Sequence, residues 1–482
     1  MSQIAWAVDQ VNPSAQPMSA SQIATTVTSL GSMDAEATVD LQVGAPQPPA
    51  LSLKTRAMFG SAWLMTGYGT SQVLRFASSL ILSRLIVPEV TGLMAMVSVF
   101  LIGLEMFSDI GIGPGIIQNK KGDDATFLNT AWTMQVGRGF MLWIIACLGA
   151  WPVSQFFNEP LLVWLIPIVG FTAVLSGFNS TSIVWLNRHL RMRKIMLLGI
   201  GDQVINYTVI IVWAWFSPTV WALVGGAMIS NLFYTVATHF LVPGHRNRFC
   251  WNAEDARAMF RFGRWIFFST ALTFFAMQAD RIMCGRLLGT ATLGVYGYAV
   301  PLAMLAPQFI KQIGAHVAFP VLSEVARTRP HMLSHYLGRV RMSLIGLSLL
   351  VLLPLMLLGS HLIRLLYPEE WWSAGWMLQI LAAGALGGIV NSTYGSVLLA
   401  LGRTFDSMVL LGTHLMFLIG GALLGYHLKG EVGFIVGVAA VEWLNYPATA
   451  AAMARLKLWQ PAIDLPALLI SAAAIAVAFV LE

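Results

Sequence analysis

From Met58 onward the chain repeats one pattern: continuous apolar runs of 18 or more residues, separated by short polar or basic segments. A run of that length makes a helix that crosses about 30 Å of hydrocarbon. Twelve are legible, near 59–83, 91–116, 127–151, 161–185, 196–216, 219–241, 264–284, 293–316, 342–360, 374–400, 407–427 and 432–453. Unbroken apolarity selects helices over barrel strands, because lipid-facing strands alternate polar and apolar in segments of about ten residues. Composition agrees, since 57% of the 482 residues are hydrophobic and 10% are charged, against roughly 25% charge in soluble domains. A water-soluble fold is excluded, and the expected class is an all-α polytopic membrane protein.

Orientation follows from the basic residues, which are retained on the cytoplasmic side of span ends. With the N-terminus cytoplasmic, 20 Lys and Arg fall inside and 4 (Arg84, Arg286, Arg364, Lys429) outside. This bias also supports an even number of spans. Residues 1–52 are rich in Ser, Thr, Ala, Gln and Pro, with four acids and no Lys or Arg, which is expected of a disordered cytoplasmic tail without a targeting role. Residues 461–482 carry a further apolar run of marginal length, expected as a thirteenth helix that either crosses or lies partly buried at the surface.

The core reads as a duplication. SRLIVPEVTG (Ser83 to Gly92) aligns without gaps on GRLLGTATLG (Gly285 to Gly294) at an offset of 202 residues, and FGSAW near Phe59 faces FGRWI near Phe262 after a one-residue shift. Two pseudo-symmetric six-helix lobes, 53–250 and 251–460, are therefore expected around a central cavity. Six is even, so the repeat is parallel and its axis lies along the membrane normal, a geometry suited to alternating access.

A charge near mid-bilayer costs at least roughly 2.5–3.5 kcal/mol and normally faces a cavity or a partner. Those inside the spans are Arg75, Glu105, Asp109, Arg138, Asp280, Arg281 and Lys311. Apart from Arg138 they belong to the first two helices of each half, and adding 202 to Asp109 gives Lys311. Arg75, Arg138, Arg281 and Lys311 are the candidate cavity cations for an anionic substrate, because a guanidinium grips phosphate oxygens in bidentate fashion. Glu105, Asp109 and Asp280 are candidates for ion coupling. Snorkelling to an interface and internal ion pairing are the structural alternatives for the same residues.

Other signals are discounted. GIGPG (Gly111 to Gly115) closes an apolar span and is not a strand-to-helix nucleotide loop. The nine histidines show no metal spacing, and Cys147, Cys250 and Cys284 are far apart in sequence, so no metal, disulfide or cofactor is expected. The basic string RHLRMRK (Arg188 to Lys194) is assigned to anionic headgroups and topology, not to nucleic acid.

Phe107-Ser-Asp-Ile-Gly-Ile-Gly ending in Ile116-Ile-Gln118, Asn129-Thr-Ala-Trp132, Asp280 to Gly289 with Leu293-Gly-Val-Tyr296, and Phe319-Pro-Val-Leu322 keep an order and spacing that resembles the bacterial oligosaccharide-lipid flippases. These form the polysaccharide transporter branch of the multidrug/oligosaccharidyl-lipid/polysaccharide exporter superfamily. The resemblance, over about residues 53 to 460, implies a transporter rather than an enzyme. Its substrate would be an undecaprenyl-diphosphate-linked oligosaccharide moved across the bacterial inner membrane, with H⁺ or Na⁺ as coupling ion and a polymerase and export machinery as partners. It also implies a cavity lined by the first two helices of each lobe. The competing readings are a drug/cation antiporter of the same superfamily and a membrane glycan polymerase or ligase. The latter is disfavoured because the longest outside loop, about residues 361 to 373, is short.

Overall fold

The structure, a computed structural model, describes the backbone of residues 53–108, 111–263, 266–313 and 319–481. It describes their side chains except at 53–62, 258, 260–263, 266–269, 311–313, 319 and 475–481. The expected tail, residues 1–52, lies outside the described residues, as do Asp109 and the side chain of Lys311.

The described chain from Lys54 onward forms one compact unit, built of helices. In order they are α1 (Leu53–Leu82), α2 (Pro88–Phe107), α3 (Ile112–Gln118), α4 (Ala125–Phe157), α5 (Leu162–Gly177), α6 (Ser182–Arg188), α7 (Met192–Phe216) and α8 (Val220–Thr238). There follow α9 (Ala253–Gly263), α10 (Ile266–Ala303), α11 (Leu305–Ile313), α12 (Phe319–Thr328), α13 (Leu333–Leu366), α14 (Ala374–Ala400), α15 (Thr404–Arg455) and α16 (Pro461–Leu481). Where it is described, each of the twelve expected spans falls largely on helix, with 91–116 divided between α2 and α3, 161–185 between α5 and α6, and 293–316 between α10 and α11, and the run after Pro461 is helical too.

Local chemistry explains the boundaries. Pro88 opens α2 after an extended Val87, which is where a proline with no amide hydrogen fits. Asp124 caps α4 by accepting the Phe127 amide hydrogen at 3.0 Å. At 38 and 52 residues, α10 and α15 are too long for one crossing, and each breaks in the middle, at Gly289 (φ 87°) and at Lys429–Gly430. α5 and α6 form one span bent by 60°.

Lipid offers helices no hydrophobic drive to associate, so close van der Waals packing of small residues carries much of the contact. The clearest case joins the two halves. A Cβ on Gly92 would collide with the carbonyl oxygen of Thr290, and a Cβ on Gly294 with that of Pro88. Thr290 is Pro88 shifted by 202 positions and Gly294 is Gly92 shifted by 202, so each residue meets the repeat equivalent of its partner's neighbour. A two-fold axis through the repeat produces such a reciprocal contact.

α16 is seated by a polar cluster within apolar helices. Arg341 of α13 is fully buried and pairs with Asp464 of α16. The hydroxyls of Tyr394 and Tyr446 both donate to Asp464 at 2.8 Å, and Arg341 Nε donates to Thr393 at 2.9 Å. The guanidinium also lies 3.5 Å from the centre of the Tyr394 ring. Removing one member of such a pair typically costs about 3–5 kcal/mol, because the other charge is left buried and uncompensated. The sequence places Arg341 among the cytoplasmic basic residues. It is buried because α13 begins at Leu333, eight residues ahead of it.

Candidate substrate cavity

α1 and α11 face each other across a cleft that holds two adjoining chambers, of about 250 and 690 Å³. Gln72, Arg75 and Leu305 line both. Along α1 the passage extends from Leu64 to Leu82, about 27 Å at 1.5 Å per residue. α7 contributes Gln203 and Tyr207, and α13 contributes Ser348.

Uncharged polar groups bridge this cleft. The Tyr68 hydroxyl donates to Gln308 Oε1 at 2.8 Å, and Gln72 Nε2 donates to the Tyr68 hydroxyl at 3.1 Å. Arg75 and the Tyr207 side chain line the same chamber, with the guanidinium in electrostatic range of the phenol. Gln203 Oε1 is buried without a hydrogen-bond partner among the described residues. A guanidinium among amides and phenols can hold an anionic group and sugar hydroxyls together, since it supplies charge and paired donors in a water-poor setting.

At the far end of α1 the passage stops under an aromatic plug from the loop between α13 and α14. The hydroxyls of Tyr367 and Ser79 lie 3.0 Å apart, and Trp371 Nε1 donates to the Ser83 carbonyl at 3.0 Å. Tyr298 stacks on Trp371 (4.1 Å between centroids) and meets Tyr367 edge-on (5.7 Å). Trp371 is 1% exposed, so the plug buries a large apolar surface together with its one polar atom.

The structure distributes the five charged candidates whose side chains it describes over separate sites. Arg75 is the charged side chain among the described residues lining the two chambers. Lys311 follows the lining residue Ile310 on α11, with its side chain outside the description. Arg138 stands elsewhere: its Nε donates to Ser108 Oγ at 3.0 Å and its Nη2 to the Glu105 carbonyl at 2.7 Å. It thus braces α4 against the end of α2, with the Glu105 carboxylate in its field. Asp280 accepts from the Tyr296 hydroxyl at 2.6 Å inside the α10 hairpin, and Arg281 lies within electrostatic range of the same tyrosine. The neighbouring Ala279 packs on Leu418 and Val441 of α15, a face of α10 turned toward α15.

At the end of the bundle where α4 begins, Lys121 Nζ reaches Asp255 at 3.3 Å and ties α9 to the N-terminal half. That hydrogen bond and charge raise the Lys121 pKa. Arg188, expected at headgroups, instead donates from Nη1 to the carbonyls of Ile116, Ile117 and Asn119 at 2.7–2.8 Å. It satisfies the carbonyl-rich end of α3, where a cation also complements the helix dipole.

Sequence reading missed Tyr68, Gln72, Tyr207 and Gln308. Uncharged groups give no signal in a charge census. Their one common mark is period: Tyr68, Gln72 and Arg75 recur at helical spacing on one face of α1.

Comparison with known proteins fixes the context. Residues 81–375, more than half of the chain, match the family described as "Polysaccharide biosynthesis protein". The chain belongs to that family. It is 22% identical over 403 residues to the lipopolysaccharide biosynthesis protein WzxC of Escherichia coli (strain K12), covering 82% of this chain and 80% of that one. It is 23% identical over 355 residues to the teichuronic acid biosynthesis protein TuaB of Bacillus subtilis (strain 168), covering 70% and 71%. Among solved structures it is similar to the lipid II flippase MurJ in an inward closed conformation, with a TM-score of 0.65, 12% identity, and 87% and 93% of the two chains covered. An inward-facing multidrug resistance MATE family transporter of the MOP superfamily gives 0.62, with 14% identity over 80% and 94%. The chain is therefore a multi-pass member of this polysaccharide biosynthesis family on a MurJ- and MATE-like fold.

Proposed function

We propose that this protein flips undecaprenyl-diphosphate-linked oligosaccharide repeat units from the inner to the outer leaflet of the bacterial cytoplasmic membrane, by alternating access and without covalent chemistry. The observation that carries this reading is the α1–α11 passage, in which Arg75 sits among uncharged walls that set hydrogen-bonding amides and phenols into a largely apolar lining. In it Arg75, with Lys311 one residue past the wall, neutralises the diphosphate, the amides and phenols take the sugar hydroxyls, and the lipid tail stays in the bilayer. The halves 53–250 and 251–460 rock about the reciprocal glycine contact, and the Trp371 plug is the outer gate, with the N-terminus cytoplasmic. Arg138 with Glu105, and Asp280 with Arg281, act at the helix joints. Glu105 and Asp280 at those joints, together with Asp109, are the groups through which an H⁺ or Na⁺ gradient is coupled. An antiporter of organic cations needs an acid in the passage, and the described walls carry none.

The test compares Arg75→Ala and Arg75→Lys at equal membrane abundance, reading lipid-linked sugar left on the cytoplasmic leaflet. The Ala variant is expected to accumulate it strongly. The Lys variant should accumulate less, since an ammonium keeps the charge but not the paired donors. Unimpaired flipping by Arg75→Ala removes the diphosphate grip.

A further inference from the structure

A second cleft, of about 320 Å³, lies between α2, α4 and the first arm of α10, inside the roughly 300–1,000 Å³ of ligand pockets. Its walls include Val99, Gly103, Phe107, Val153, Phe156 and Phe274, and all of its described lining is apolar. The rings of Phe107, Phe274 and Phe275 close its floor, with centroids 5.1–6.3 Å apart. At its rim the Arg286 guanidinium lies over the Phe156 ring, 5.9 Å from the centroid. Its Nη1 is 3.2 Å from the Asn158 amide oxygen once that amide is turned to satisfy both neighbours.

The dimensions and the chemistry agree on one kind of occupant. Phe157 and Met96 both approach Gly285 and so mark the level of the rim. From Val99 to Phe107 on α2, the stretch that lines it, is about 12 Å of rise, most of the roughly 15 Å that is half of the roughly 30 Å hydrocarbon core. The slot is long enough for much of one acyl chain. Water has no polar partner on these walls, and a site without such partners stays dry. Sugars would find nothing to bond. What remains is hydrocarbon, with a cation held on an aromatic platform where a headgroup lies.

We propose that this slot holds one acyl chain of an anionic phospholipid whose phosphodiester is gripped by Arg286. The site is separate from the Arg75 passage and is independent of what that passage carries. Arg286 is the specificity-determining group, because its fork takes two phosphate oxygens whereas the slot itself accepts any chain.

The experiment uses the full chain in nanodiscs with phosphatidylglycerol bearing a photoreactive diazirine on its acyl chain, and the matched phosphatidylcholine probe. Labelled residues are mapped by mass spectrometry. Labelling is expected to concentrate on 99–107 and 152–157, well above Leu148 and Leu350, which are 75% and 73% exposed and face open lipid. Arg286→Gln, at an exposed position, should lower phosphatidylglycerol labelling of the slot about tenfold, the size of one charge-assisted hydrogen bond. It should leave phosphatidylcholine labelling unchanged. Gly103→Leu, which fills the slot against Phe274, should lower both. Even labelling of slot and control positions overturns the proposal, as does equal labelling of the slot by the two probes. Displacement by undecaprenyl diphosphate but not by excess unlabelled phosphatidylglycerol overturns it too, by giving the slot to a prenyl lipid.

Discussion

The repeat superimposes the α1–α11 passage on the α2–α10 slot, yet the two are lined by opposite chemistry. At an offset of 202, Gln72 becomes Phe274, Leu305 becomes Gly103 and Phe309 becomes Phe107, while Arg75 becomes Met277, which lies outside the slot on the exposed side of α10. Where Tyr68, Gln72 and Gln308 join hands across one cleft, Phe107, Phe274 and Phe275 pack across the other. A duplicated bundle generates two equivalent clefts by symmetry, but one substrate route requires one polar lining. The other can be lined with rings and aliphatic side chains, which needs no polar group to leave water. Symmetry sets the backbone, and side chains break it.

Moving the charge to its repeat-equivalent position tests that contrast most directly. Combining Arg75→Met with Met277→Arg should reduce flipping by about two orders of magnitude, as expected for losing a bidentate charge-assisted contact of roughly 3 kcal/mol, with no rescue from the transplanted guanidinium. Recovery of transport in leaflet-resolved vesicle assays would mean that either position can serve. Met277→Arg alone should lower stability by about 2.5–3.5 kcal/mol, since Met277 is 60% exposed to lipid and carries no partner for the charge. Membrane abundance and the unfolding midpoint in detergent report this. A smaller effect is expected at the plug. Trp371→Phe leaves the Ser83 carbonyl without its donor, weakening the seal by about 1 kcal/mol or more, so a Ser79→Cys reporter should react about fivefold faster with an impermeant thiol reagent added outside. The smallest lies away from both clefts. His245, which shares a 3.0 Å hydrogen bond with Thr181, has its pKa lowered by burial and then by His239. The folded state therefore binds fewer protons than the unfolded one. Stability is full above the ordinary histidine value of about 6.5 and declines as pH falls through it. His245→Asn should flatten that decline in thermal unfolding without altering flipping.

Helix placement was legible because apolar length is a strong, local signal: the runs around Pro88, Ala125 and Met192 all became helices where expected. The offset found in ten residues reappears in space as the Gly92–Thr290 and Gly294–Pro88 contacts. What was not legible depends on who faces whom. Arg138 and Arg75 look alike in sequence, but a serine and a carbonyl at the α2 joint hold the first and the passage holds the second. Arg341 resembles any basic residue at a span end until Asp464 arrives from a helix more than a hundred positions later. Nothing local in the sequence tells that the loop of Tyr367 and Trp371 folds back onto Ser79 and Ser83.

The reciprocal glycine contact has a mechanical corollary. It lies beside the α1–α2 turn, at one rim of the bundle, and under the proposed rocking it would be a fulcrum at the end of a long lever. α1 has 30 residues, or about 45 Å of rise. A tilt of about 15°, the size of known rigid-body subunit rotations, therefore swings its opposite tip by roughly 12 Å while the hinge itself scarcely shifts.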